Sequence, residues 1–276
     1  MGTTRDTKRD STGVTSDAKL TLRRFAVLFG VGFVGVASLY PVALEQLRTG
    51  PLPPGVSLPA LAVASLIVPT VLLAVAVVVG LKTAPRLGFR SYLLDRVIHG
   101  TPVWPRLRDD LRAAVGWGAI AGVAILLAQF GFGLVVEQLT PQTGTVTVGD
   151  VLTTVPFRFL YGGVTEELLL RWGFMSLVAF VLFATVDRGR DAPSARVVWA
   201  AILVSAIVFG VGHLPAAAAT FALTPGVVAY IIVGNAVGGV VFGWLFWRRS
   251  LEAAMLAHAS VHVVLVTVSI AALLVT

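Results

Sequence analysis

The sequence predicts an all-α fold, a polytopic transmembrane helix bundle of about seven spans, and three observations predict it. Of its 276 residues, 57% are apolar and 13% charged, and a mean hydropathy of +0.89 lies outside the range of soluble domains. Apolar runs recur along the chain, each long enough at ~1.5 Å per residue to cross ~30 Å of hydrocarbon. The basic residues collect in alternate connections between those runs, the signature of loops retained on the cytoplasmic side. In lipid the backbone must satisfy its own hydrogen bonds, so runs of this kind span as helices.

In order along the chain, residues 1–24 hold six Lys and Arg among Thr, Ser and Asp without apolar periodicity, and read as a basic, disordered cytoplasmic tail. Residues 25–276 form the transmembrane domain. Phe25–Leu44 is too long for the apolar region of a signal peptide and no small-x-small cleavage site follows it, which makes it a first span. Further spans are expected over Leu58–Leu81, Ala113–Val136, Val151–Val186, Val197–Leu223, Val227–Trp247 and Leu251–Leu274. Lys plus Arg number one in the first connection, seven in 82–112, none in the third, three in 187–196, none in the fifth and two in the sixth. That alternation predicts an integral protein of the cell membrane with its N-terminus cytoplasmic and its C-terminus outside.

The net charge of +7 therefore marks topology and not nucleic acid. The basic 82–112 connection is expected to lie on an anionic leaflet, with no folded domain of its own. No internal repeat of the kind found in inverted-repeat transporters is visible. The absence of cysteine excludes disulfides, a thiol nucleophile and thiolate metal sites. Gly30-x-Gly32-x-x-Gly35 matches a dinucleotide fingerprint by its letters, yet it lies mid-span with no strand before it and reads as helix packing. Gly118/Gly122, Gly234/Gly238 and Gly239/Gly243 read the same way. The 36-residue run Val151–Val186 is too long for one straight span, and Pro156 with Gly162-Gly163 marks where it should bend, with a short outer helix before Glu166.

Charge inside the spans is the functional signal. Glu166, Glu167 and Arg171 interrupt an apolar run, where an ionised group costs roughly 3 kcal/mol on insertion scales and is normally paired and turned inward. Glu167 and Arg171 are one turn apart and can pair, which leaves Glu166 to face something else. His99 lies in the basic connection and reads as solvated. His213, His258 and His262 lie within spans, the last two at i, i+4 on one helix face, a spacing that suits a divalent metal. Glu166 with His213, His258 and His262 makes a nitrogen and oxygen set typical of zinc. The alternative is hydrogen-bond glue between helices at about 1 kcal/mol each. Counted along straight helices, these groups sit at depths that differ by roughly 10 Å, a gap that tilt, or a last span whose cytoplasmic end starts deeper, must close.

Three motifs in order on successive spans carry a resemblance: Glu166-Glu167-x-x-x-Arg171, Phe209-x-x-x-His213, and His258 followed four residues on by His262. They resemble the motif set of the CAAX prenyl protease and bacteriocin-processing family of intramembrane metalloproteases, over about 151–265, with His262 where that family commonly has Asn. The resemblance implies a membrane-embedded endopeptidase acting on a membrane-associated protein, of which prenylated CAAX proteins are the family's eukaryotic example. It implies Glu166 as general base, His213 and His258 holding a water or metal and stabilising the oxyanion, and Glu167 with Arg171 fixing the helix face. Phe209 and Asn235 are expected at the cavity, Asn235 alternatively as a packing hydrogen bond. The rival readings are a non-catalytic scaffold or immunity-type member, and a proton- or metal-coupled transporter using the same buried groups.

Overall fold

A computed structural model gives the fold and describes residues 7–48, 50, 52–136 and 146–275. Regular structure among the described residues is helical throughout: α1 (Thr7–Ala37), α2 (Tyr40–Arg48), α3 (Leu58–Ser65), α4 (Ile67–Thr83), α5 (Tyr92–His99), α6 (Val103–Gly133) and α7 (Val148–Phe157). Two π-helical stretches follow, π1 (Arg158–Glu166) and π2 (Leu168–Met175), then α8 (Ser176–Val186), α9 (Ala195–Gly212), α10 (Leu214–Ala218), α11 (Pro225–Arg248) and α12 (Leu251–Val275). Among the described residues, seven helical stretches are long and apolar enough to cross a membrane, from Asp17–Arg48 to Leu251–Val275. The all-α bundle of seven spans is thus the observed architecture.

The bundle closes where small residues let helices touch. A Cβ on Gly80 of α4 would stand 2.2 Å from the ring of Trp172 in π2, and one on Gly173 would meet Ala76 at 2.6 Å, so these glycines bring α4 and π2 into backbone proximity. Gly118 of α6 lies as close to Ala257 of α12, and Gly239 of α11 to Ala206 of α9. In the Gly30-x-Gly32-x-x-Gly35 segment, Gly32 packs on Leu73 and Leu168, and Gly35 packs on Thr165 and Leu160. Thr165 also donates its hydroxyl to the Gly32 carbonyl at 2.7 Å. Helix packing accounts for that motif, although Gly30 itself, like Gly234, has nothing within 4 Å of its Cβ position.

Three expectations change. Residues 7–24 are helical, because α1 starts at Thr7. Once an apolar span has nucleated a helix, extension costs little per residue, so the polar start is carried along. Residues 1–6 of the expected tail lie outside the described residues. The fifth span runs Ala195–Ala218 and ends short of Leu223; it is broken into α9, which ends at Gly212, and α10, which starts anew at Leu214 with Pro215 in its first turn, where a missing N–H is tolerated. The bend expected at Pro156 and Gly162-Gly163 takes the form of α7, begun by a Thr147/Asp150 capping box, passing into π1 and π2. A π-turn winds more residues into each turn and advances less per residue than an α-turn, which lets a 39-residue stretch, Val148–Val186, fit where a straight helix would not. Carbonyls along π2 find side-chain donors: Ser176 Oγ on Arg171 O and Ser205 Oγ on Leu170 O, both at 3.1 Å.

Candidate active site

The π-helical winding presents neighbouring residues in different directions. Glu167 and Arg171 turn into the protein and are fully buried, paired Oε1 to Nη1 at 3.1 Å. A second Arg171 nitrogen, Nη2, donates to the Gly239 carbonyl at 3.1 Å, which glycine permits by letting α11 come close. The guanidinium also lies between two rings, 4.8 Å from the Phe209 centroid and 5.2 Å from that of Phe242, a favourable position for a desolvated cation.

Glu167 has a further partner that spacing alone did not indicate. Its Oε1 accepts from His258 Nδ1 at 2.8 Å, across the bundle from α12. The carboxylate only accepts, so Nδ1 carries the proton and His258 Nε2 presents a lone pair. The same logic applies to His213, whose Nδ1 lies 2.8 Å from the Phe209 carbonyl. The two free Nε2 atoms point at Glu166: His213 Nε2 is 3.9 Å from Oε1 and His258 Nε2 is 3.9 Å from Oε2. Glu166, unlike its neighbour, keeps some exposure, 16% of its side chain, to a cavity of about 270 Å³. Two lone pairs and a carboxylate thus converge on one point, a cluster of acceptors with no donor of its own. Separations of 3.9 Å leave room for a bridging water that donates to them.

Phe242 stacks on His258 with centroids 4.4 Å apart and 19° between planes, and Phe209 stands edge-on to both imidazoles. These rings, which also line the cavity, hold the imidazole planes. Phe209 was expected here from the motif; Phe242 carries no sequence signal beyond being one aromatic among many in an apolar span. Asn235 lines the cavity and also donates to Ile231 O of its own helix at 2.8 Å, so both expected roles coexist. The depth gap counted along straight helices does not keep the imidazoles of His213 and His258 from Glu166, 3.9 Å away in each case.

His262 is placed differently from the other histidines. It lines the cavity and stacks on His258 at 4.9 Å, but both of its ring nitrogens are buried without a hydrogen-bond partner. Gly162 makes room for it, since a Cβ there would stand 2.7 Å from Nε2. The four-residue metal set of Glu166, His213, His258 and His262 is therefore not gathered as expected. Among the described residues no group of three His, Cys, Asp or Glu is placed to hold a metal ion, because the stack holds the His262 ring alongside His258 and not opposite it. The donor types suit zinc but their placement does not fit one.

Sequence reasoning did not single out Arg158, Tyr161, Gln129 and Tyr230, which also line the cavity. Arg158 was detectable as the second of two arginines within a span. Against known proteins, residues 148–264 match a family model described as type II CAAX prenyl endopeptidase Rce1-like, which is the family the three motifs resemble and covers the segment that carries them. No curated protein and no solved structure matches the chain.

Proposed function

We propose, with that family as the premise, that this chain is an intramembrane endopeptidase that hydrolyses a peptide bond of a membrane-associated, CAAX-type protein by means of a glutamate-activated water. One observation carries the reading: the two Nε2 atoms of His213 and His258 face the two oxygens of Glu166 at 3.9 Å each, on the wall of a single cavity. A water held there donates to Glu166 and to an imidazole. Glu166 takes its proton as the oxygen attacks the scissile carbonyl carbon, a general-base step contributing typically 10²–10⁴-fold. The C–N bond then breaks and the proton passes from Glu166 to the departing amine. His258, oriented by the bond from Nδ1 to Glu167, accepts from that water through Nε2 and holds it beside Glu166. Asn235 and Tyr161 supply neutral donors on the same cavity for the developing oxyanion.

The family supports a membrane-associated substrate, and the positive-inside pattern supports a cytoplasmic N-terminus with the C-terminus on the far side. The test is hydrolysis of a quenched prenylated CAAX peptide by purified wild type, Glu166→Ala and His258→Ala, each with and without chelator and added zinc. Cleavage by wild type that both substitutions abolish supports the reading, and insensitivity to chelator supports the metal-free step. Metal-dependent transport across vesicles that survives Glu166→Gln would instead favour a carrier.

A further inference from the structure

A second cavity, of about 730 Å³, shares no lining residue with the catalytic one and lies between the start of the first span and the end of the second. Arg24 and Phe25 of α1 line it on one side, Val78, Leu81 and Lys82 of α4 on the other, and Arg86 stands in the turn that follows α4. Three cations thus meet at one rim, and among the described residues that line the cavity none is Asp or Glu. Elsewhere in the cytoplasmic connections carboxylates answer the cations, as Asp95 does Arg106 and Asp110 does Arg249. At this rim no such pair forms among the described residues. The Arg24 Nε is buried without a hydrogen-bond partner, while Arg86 bonds the neutral Lys82 carbonyl and lies over the Phe180 ring at 5.9 Å. Grouped cations without a counter-charge call for an anionic ligand.

We propose that this cleft binds one anionic phospholipid of the cytoplasmic leaflet, with its phosphate at Arg24, Lys82 and Arg86 and an acyl chain along the seam between α1 and α4. The depth fits, because the positive-inside pattern puts these ends of α1 and α4 at the cytoplasmic surface, where anionic headgroups lie. The size fits as well, within the roughly 300–1,000 Å³ of ligand pockets. Away from the rim the walls turn apolar. Val78, Val75 and Val71 form one exposed row up α4 at three- and four-residue spacing. On α1, Phe25 begins a stack with Phe29 and Phe33, successive centroids 5.2 and 5.8 Å apart. A soluble anion would meet the cations and leave these surfaces bare, and an uncharged lipid would cover the surfaces and leave the cations unanswered. An anionic phospholipid does both. Its seat also bears on the fold, since Gly35 of α1 receives Thr165 of π1 and Gly80 of α4 receives Trp172 of π2: a lipid that ties α1 to α4 braces the two helices on which the π-helical stretches pack.

The test titrates the purified, delipidated full chain in detergent with phosphatidylglycerol, with phosphatidylcholine of the same acyl chains, and with glycerol phosphate as the anion without chains, and reads bound lipid by native mass spectrometry. A basic group beside an anionic headgroup is worth about fivefold in affinity. Three of them predict that the first phosphatidylglycerol binds at least about tenfold tighter than phosphatidylcholine. Arg24→Gln combined with Lys82→Gln should cut that preference to about fivefold or less and leave phosphatidylcholine binding unchanged. Arg188→Gln combined with Arg196→Gln, which removes two cations from another cytoplasmic connection, should leave the preference intact. Equal binding of the two lipids by wild type overturns the proposal and needs no substitution, so a folding defect in a variant cannot obscure it. A preference that persists without Arg24 and Lys82 overturns it as well, and so does one lost equally without Arg188 and Arg196, which would mark diffuse surface attraction. Glycerol phosphate that displaces phosphatidylglycerol at equal concentration would mark an anion site indifferent to acyl chains and overturn the lipid assignment.

Discussion

Helix α12 carries two polar clusters a few residues apart, and they differ in how completely they are satisfied. At its start, Glu252 accepts from Ser91 Oγ at 2.7 Å, Tyr92 N at 2.9 Å and Leu93 N at 3.0 Å, so that its carboxylate caps α5. Beside it, Asp110 accepts from Tyr92 Oη at 2.6 Å and from Arg249 Nη1 at 3.1 Å. Two turns on, His258 Nε2, His213 Nε2 and Glu166 face one another with no donor among them, and the two His262 ring nitrogens have no hydrogen-bond partner among the described residues. Buried polar groups are normally hydrogen-bonded. The saturated cluster ties α5 and α6 to the start of α12, whereas the unsaturated one leaves acceptors unpaired on the cavity wall, as the proposed chemistry requires.

The comparison can be broken most severely at Glu167, which belongs to both kinds of cluster by bonding Arg171 and His258 together. Glu167→Gln should leave Arg171 as an uncompensated buried charge, costing about 3–5 kcal/mol of stability, and should lower turnover at least about 100-fold through loss of the His258 orientation; unfolding midpoints and steady-state rates check both. Glu166→Gln should reduce kcat by roughly 10³-fold, about 4 kcal/mol of barrier, with the unfolding midpoint unchanged. Glu252→Ala should do the reverse: three buried donors lose their acceptor, costing about 3 kcal/mol or more, while the turnover of the protein that remains folded stays near wild type.

Tyr92→Phe gives the smallest effect, about 1 kcal/mol for one hydrogen bond, and sharpens the comparison through pH. Burial, then donation to Asp110, pushes the Tyr92 phenol up to about 12. A raised value in the folded state means that its contribution is fully present below the ordinary phenol value of about 10 and is lost as pH rises from there toward 12. Wild type should lose stability in that window by chemical unfolding, and Tyr92→Phe should lack that part of the loss.

Much of the unsaturated cluster was legible in the sequence, because charge and histidine stand out within apolar spans; Glu166, Glu167, Arg171, His213 and His258 all converge as the motifs suggest. The saturated cluster was not. Glu252 sits at the edge of a span among ordinary boundary residues, and its partners lie about 160 residues away, a separation at which no local pattern identifies a partner. Within the basic 82–112 connection, Ser91 and Tyr92 reach inward to Glu252 of α12. The π-helical winding was equally hidden. Pro156 and the glycine pair announce a bend, but the choice of a wider turn is made by packing, with Gly35 and Gly32 of α1 pressed against π1 and with Ser205 of α9 holding a carbonyl of π2. His262 shows the limit of spacing as evidence: i, i+4 places two imidazoles on one face, and in the bundle they stack face to face and not around an ion.

The central claim is that the under-satisfied cluster performs chemistry while the saturated one holds the fold. Its most direct measurement takes wild type, Glu166→Gln and Glu252→Ala and records, on the same purified samples, both the rate of cleavage of a CAAX-type peptide and the unfolding midpoint. Glu166→Gln should keep the wild-type midpoint and lose cleavage by about three orders of magnitude, while Glu252→Ala should unfold earlier yet cleave at a near-normal rate when folded. Cleavage that survives Glu166→Gln in a fully folded protein would contradict it.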